Sequence, residues 1–262
     1  MEKFYFISFV ILMTLLGICI GSFLNVVIYR LPNKMSLSKP PSHCTFCNHL
    51  LAWYDNIPLL SYIFLKGKCR YCHHKISIRY FLVEFGNGLL WTFSAFVFYP
   101  LGFYFPFIYA CIFSTLLCIA LIDYENMFIP DRLQFILFFL GVILCFIHPS
   151  LTYKDHCFGF LLGGCFFLFF YLLSYLVFKK EGLGFGDVKL MFCCGLILGF
   201  KNTIVSIVLS TLCALIYVFI KKILKKKSEK NEIPFAPFLV FGVIMAVFFG
   251  QFLMDWYFNF FF

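Results

Sequence analysis

Residues 4–28 contain no charged side chain, and seven further runs, at 80–98, 105–122, 133–147, 157–178, 188–200, 203–220 and 235–256, contain almost none. Runs of this kind dictate what the chain can become. A helix needs about 20 apolar residues to cross about 30 Å of hydrocarbon, and in lipid the backbone must satisfy its own hydrogen bonds. With 63% hydrophobic and only 13% charged residues over 262 positions, no soluble fold could hide the apolar surface. The reading is an all-α polytopic membrane protein with about eight transmembrane helices and one small polar insert. The run at 188–200 is short, and a GFKN break at 199–202 divides it from the next, so a seven-span reading would merge or drop this hairpin. The first run is too long for a signal peptide, its basic lead is Lys3 alone and no A-x-A site follows, so it is read as a retained span.

Charge placement sets the orientation. Eight spans put both termini on one side, with the insert and the loops around 123–132, 179–189 and 221–232 on the other. That second side carries 18 of the 21 Lys and Arg residues. The positive-inside rule makes it cytosolic, with both termini periplasmic. The net charge of +9 is largely this signal. The run KKILKKKSEK therefore reads as a stop signal beside anionic membrane lipid, and no nucleic-acid partner is expected.

The organisation predicted is a first transmembrane helix at 1–29, an insert at 30–79 and a helical bundle at 80–262. The insert holds two C-x2-C pairs, CTFC and CRYC, separated by 21 residues: Cys44, Cys47, Cys69 and Cys72. In a reducing cytosol disulfides are not expected. The spacing suits a four-thiolate zinc knuckle, a closed and therefore structural Zn2+ site. The blander reading is unbound thiols or a redox pair in a chain with 13 cysteines. Cys193 and Cys194, inside a span, read as small apolar packers. His43, His49, His73 and His74 flank the pairs and read as solvated surface. A fold of about 50 residues needs such a metal staple.

Two carboxylates stand at the same predicted membrane face. Asp123 ends the third span, in LIDYENMFIPDRL, and Asp187 begins the sixth, in GLGFGDVKL. Ionisable groups in or beside spans raise a functional reading by default. Brought together, one carboxylate can activate a water and the other, protonated, can polarise a carbonyl, as in aspartic proteases. Gly184 and Gly186 would let a peptide or a neighbouring helix approach the backbone. Taken singly, Asp187 could be a helix cap, Asp123 a boundary charge, Asp131 a cap on the fourth span, and the glycines a turn. The helix dipole favours a negative charge on Asp187, at a helix start, and disfavours one on Asp123, at a helix end, so Asp187 is expected to be the ionised base and Asp123 to hold the shared proton.

Together these segments resemble the type IV prepilin peptidases, bifunctional leader peptidases and N-methyltransferases of the GxGD aspartic protease group. The resemblance covers nearly the whole chain. It is carried by GSFLNVVIYRLP at 21–32, by the insert and its border at 44–84, and by the two aspartate motifs. It implies that Asp123 and Asp187 are the catalytic pair, with Gly184, Gly186 and Asp131 in support. The substrates it implies are type IV prepilins or pseudopilins, cut after a basic leader at the cytosolic face of the inner membrane. It implies S-adenosylmethionine as methyl donor for the new N-terminus. Thr45 and Phe46 stand where the family usually has a proline, as does Phe81. No Gly-rich cofactor loop is present, and apart from Glu84 at the insert's border no residue suggests itself for methyl transfer. A presenilin-like protease fits less well, because Tyr124 follows Asp123 and two spans intervene. A transporter would place its acids nearer the midplane.

Overall fold

The computed structural model describes residues 2–179, 182–224 and 233–261. They form α1 (Glu2–Arg30), α2 (Leu60–Phe64), α3 (Ile78–Phe98), α4 (Phe105–Asn126), α5 (Asp131–Ile147), α6 (Tyr153–Phe178), α7 (Phe185–Ile223) and α8 (Ala236–Phe261). Among the described residues there are no strands, only two isolated bridges in the insert. The distal part of the basic run at 221–230, from residue 225 on, lies outside the described residues.

Among the described residues six helices are long and apolar enough to cross a membrane, two fewer than the eight predicted. The shortfall has two causes. The predicted fourth span is present as α5, but its 17 residues fall just short of membrane length. The predicted sixth and seventh spans form one 39-residue element, α7, interrupted at Gly199 (φ 72, ψ 174). A straight helix of that length would run to about 58 Å. Instead it folds back. A Cβ on Gly163 would lie 2.6 Å from the Met191 carbonyl and 3.3 Å from Thr203 Cγ2, two residues about 18 Å apart in an unbroken helix. Only glycine adopts this φ cheaply. His156, fully buried, serves the break by donating from Nδ1 to the Leu196 carbonyl at 2.6 Å.

The chain divides into two compact units, Met1–Cys118 and Ile119–Phe262. In the first, α1 and α3 pack through small residues. Cβ atoms on Gly17 and Gly21 would meet Trp91 at 2.6 Å and the Glu84 backbone at 2.8 Å, so the GICIG stretch is what permits the approach. Asn87 is buried there and donates to the Gly17 carbonyl (2.6 Å), while its Oδ1 accepts from Ser114 (2.8 Å). In the second unit α7 is the hub, packed on α5, α6 and α8. Gly159 of α6 lies directly on Gly195 of α7, backbone to backbone. Between lipid-bathed helices such dispersion contacts and buried hydrogen bonds replace the hydrophobic drive that water would supply.

Candidate active site

The second unit brings both acidic motifs together. Asp123 sits in the last turn of α4 and Asp187 in the first turn of α7. Each is only 7% exposed, and the charge of Asp123 acts on Asp187. Three ties hold the two segments to each other. Gly186 packs on Ile129, whose Cβ would stand 3.2 Å from a Cβ at that glycine. The Gly186 carbonyl accepts from Gln134 Nε2 at 3.2 Å. Lys189 Nζ pairs with Asp131 Oδ1 at 2.9 Å. The glycines thus serve a close approach within the chain: Gly186 to the Ile129 turn, and Gly184 to the Asp187 carboxylate, whose Oδ2 would be 3.2 Å from an added Cβ.

Asp131 is the first residue of α5 and does not cap it. Pro130 holds the N-cap position without a side-chain hydrogen bond, and the Asp131 carboxylate is spent on Lys189. That ion pair is largely exposed, so it is worth at most about 1 kcal/mol. Asp131→Ala is expected to keep most activity, with a thermal midpoint within a few degrees of the parent. Gly186→Val should do far more harm, because two γ-methyl groups have no room against Ile129 and the Asp187 helix start must lift. A cleavage assay with membrane-level quantitation separates the two outcomes.

The surprise lies at α8. The amide of Ala236, its first residue, donates to Asp123 Oδ2 at 3.1 Å. A helix start leaves its first N–H groups without intrahelical partners, and here a carboxylate from another helix satisfies one of them. Asp187 is treated differently: its Oδ1 is buried and finds no partner among the described residues. Reading the sequence for carboxylates passed over this contact because its donor is backbone. The available signal was IPFAPFL at 233–239, where prolines flank a helix start.

The insert, in the first unit, builds a second centre from two copies of one turn. Cys44 N donates to the His49 carbonyl and Cys69 N to the His74 carbonyl, both at 2.9 Å. Asn48 N and His73 N return to the carbonyls of Cys44 and Cys69 at 2.9 and 3.0 Å. Asn48 and His73, at matching positions, both take left-handed φ (56 and 57). The four Sγ atoms lie within 4.8 Å of one another, and among the described residues no histidine joins them. Cys44 and Cys72 sulfurs are 3.8 Å apart. Thiolates at about 2.3 Å from a tetrahedral zinc would be about 3.8 Å from each other. Charge tells the same story. Burial opposes ionisation of Cys44, yet the Cys47 and Phe46 amides hold its thiol down at about 7. At Cys72 the His74 amide favours the thiolate, but burial and the neighbouring sulfurs push it up to about 12. A bound cation relieves that opposition, so the donor set fits a soft divalent metal. His49 instead stacks near Tyr71 and His74 on Phe46.

Glu84 stands in α3, and its Oε2 accepts from Leu59 N at 2.7 Å, tying the start of α2 to α3.

A model described as the type IV leader peptidase family matches residues 110–219, which include both aspartates. One described as the bacterial peptidase A24 N-terminal domain matches residues 15–98, which include the four cysteines. Among curated relatives, a prepilin leader peptidase/N-methyltransferase of Pseudomonas putida is 33% identical over 96% of this chain and 93% of its own length. One from Vibrio cholerae serotype O1 is 33% identical over 92% of this chain and 96% of its own. A type 4 prepilin-like proteins leader peptide-processing enzyme of Escherichia coli O78:H11 is 34% identical over 91% and 93%. No solved structure gives a significant match. Buried carboxyls from two separate helices, a four-sulfur cluster and likeness along almost the whole length agree: the chain belongs to the type IV leader peptidase family.

Proposed function

We propose that this protein removes the basic leader from type IV prepilins or pseudopilins by an aspartyl mechanism and then methylates the new N-terminus. The observation that carries the reading is the pair of buried carboxyls, Asp123 and Asp187, within electrostatic reach of each other at two helix ends. Asp123, which already accepts the Ala236 amide, takes the part of the carboxylate base. Asp187, whose Oδ1 lacks a partner, takes the part of the acid. This reverses the assignment that helix ends considered singly would give, because the start of α8 supplies the compensation that the end of α4 lacks. Asp123 removes a proton from water as its oxygen attacks the scissile carbonyl, and Asp187 gives its proton to the carbonyl oxygen. The tetrahedral diol then collapses, the C–N bond breaks, and the leaving amine takes the proton from Asp123 while Asp187 recovers its own.

Cys44, Cys47, Cys69 and Cys72 would hold a structural zinc that fixes the shape of the insert. S-adenosylmethionine would supply the methyl group, and no residue of the chain is assigned to hold it. The excess of Lys and Arg at the insert and neighbouring loops supports a cytosolic active face, with both termini periplasmic, in the bacterial inner membrane. A presenilin-like protease or a transporter is not favoured, since the relatives carry neither description. The test is purified protein with candidate prepilins and S-adenosylmethionine, followed by mass spectrometry. Loss of the leader and then a gain of one methyl group are expected. An intact substrate in every case would refute the reading.

A further inference from the structure

The insert carries an apolar face that nothing in its own fold covers. Helix α2 has no buried residue. Tyr62 is its inward anchor: its ring is 5.6 Å from Phe81 of α3 and its hydroxyl donates to the Ile76 carbonyl at 3.4 Å. The other side presents Leu60, Ile63 and Phe64, 51%, 56% and 78% exposed. In an aqueous loop such a trio would be costly. Its position removes the difficulty. Glu84 binds the Leu59 amide, and Glu84 lies six residues into α3, about 9 Å along a helix that is long and apolar enough to span the membrane. Tyr62 on Phe81 fixes the same height. Helix α2 is therefore held alongside the membrane-entry turns of α3, whose own Ile78, Leu82 and Phe85 are exposed too. Directly after α2 come Lys66 and Lys68, both exposed. The insert at 30–79 has eight Lys and Arg residues against a single acid, Asp55, and that acid is already paired with Arg70 at 2.7 Å.

We propose that α2 is an interfacial anchor: Leu60, Ile63 and Phe64 lie in the headgroup–acyl boundary of the leaflet that α3 enters, and Lys66 and Lys68 meet the phosphates of anionic lipid. Apolar side chains at that depth beside a basic rim are what such a surface selects. A basic prepilin leader is the less fitting occupant, because the surrounding charge repels it. The anchor would pin the four-sulfur knuckle at a fixed height over the membrane.

The full chain is placed in nanodiscs of phosphatidylcholine alone or mixed with phosphatidylglycerol, as the parent and as Phe64→Trp. The difference in emission isolates the added indole. In anionic discs it should be blue-shifted and quenched by nitroxides near the acyl carbonyls more than by aqueous iodide. Adding Lys66→Gln should lower the docked-to-free ratio by about five-fold. Water-like emission, open to iodide in both kinds of disc, overturns the proposal. So does shielding that appears only on adding a prepilin peptide, which would make the face a substrate dock. Should Phe64→Trp not accumulate, hydrogen exchange at 60–68 in the parent decides: slower in anionic discs supports the anchor, unchanged exchange overturns it.

Discussion

Asp123→Asn and Asp187→Asn are each expected to lower leader cleavage by about 10³-fold or more while leaving a folded protein in the membrane. An asparagine at 123 keeps a side-chain oxygen for the Ala236 amide, so the hydrogen bond that joins α4 to α8 survives. What it loses is the ability to take a proton from water. Alanine at 123 removes both, and the buried amide left without an acceptor costs about 1–3 kcal/mol besides. The pair Asn and Ala thus separates chemistry from scaffolding: both should be inactive, but the alanine variant alone should unfold at a lower temperature. At 187 the gap between the two substitutions should be smaller: Oδ1 has no hydrogen-bond partner among the described residues, and the Gly184 amide is the backbone donor that alanine would leave unmet. Substantial cleavage by either asparagine variant, measured as leader release per folded enzyme, would remove Asp123 and Asp187 from the mechanism. A stability loss at 187 but none at 123 would overturn the proposed division of labour between them.

The second large effect concerns the metal. Protein purified without chelator should carry about one zinc per chain, and Cys69→Ser should lose it. Cys69 is the most buried of the four sulfur residues, 3% exposed, so serine there removes a ligand and leaves a hydroxyl in its buried place. Structural zinc contributes folding free energy outright, on the order of several kcal/mol or more in small domains. The insert between α1 and α3 has little else. Its helices are the four-residue 3₁₀ turn Trp53–Asn56 and the five-residue α2, and its bridges are single pairs. Hydrogen exchange across 44–76 should accelerate strongly in Cys69→Ser, while α5 to α8 should keep their protection. Both aspartates belong to the unit Ile119–Phe262, so cleavage should fall less than the protection of the insert does. Metal analysis that finds no zinc in the parent, or unchanged exchange in Cys69→Ser, would refute a structural metal.

How far the sequence reaches depends on the range of the force at work. The apolar runs made the helices legible because desolvating a backbone in lipid leaves helix as its answer, residue by residue. The cysteine knuckles were legible because each is a local turn with fixed offsets, repeated with the same backbone hydrogen bonds at Cys44 and Cys69. The two aspartates were legible as costly residues at predicted span ends. The helix count was less so: Gly199 lets one 39-residue element fold back, and whether each limb spans depends on what it packs against. Asp131 looked like a cap because Pro130 precedes it, but Lys189, 58 positions away, claims its carboxylate.

By itself, then, the sequence determined a polytopic helical chain, a four-cysteine knuckle and two carboxyls in motifs that suit acid–base work. The tertiary structure alone decided what surrounds each carboxyl. A macrodipole argument confined to one helix sees Asp123 at an unfavourable end. In the fold the first amide of α8, 113 positions later, points at that same carboxylate, whereas Asp187 Oδ1 is left without a donor. Hydrogen bonds fall off within a few ångströms, so which donor a carboxylate meets is fixed by packing between helices and cannot be read from either helix alone.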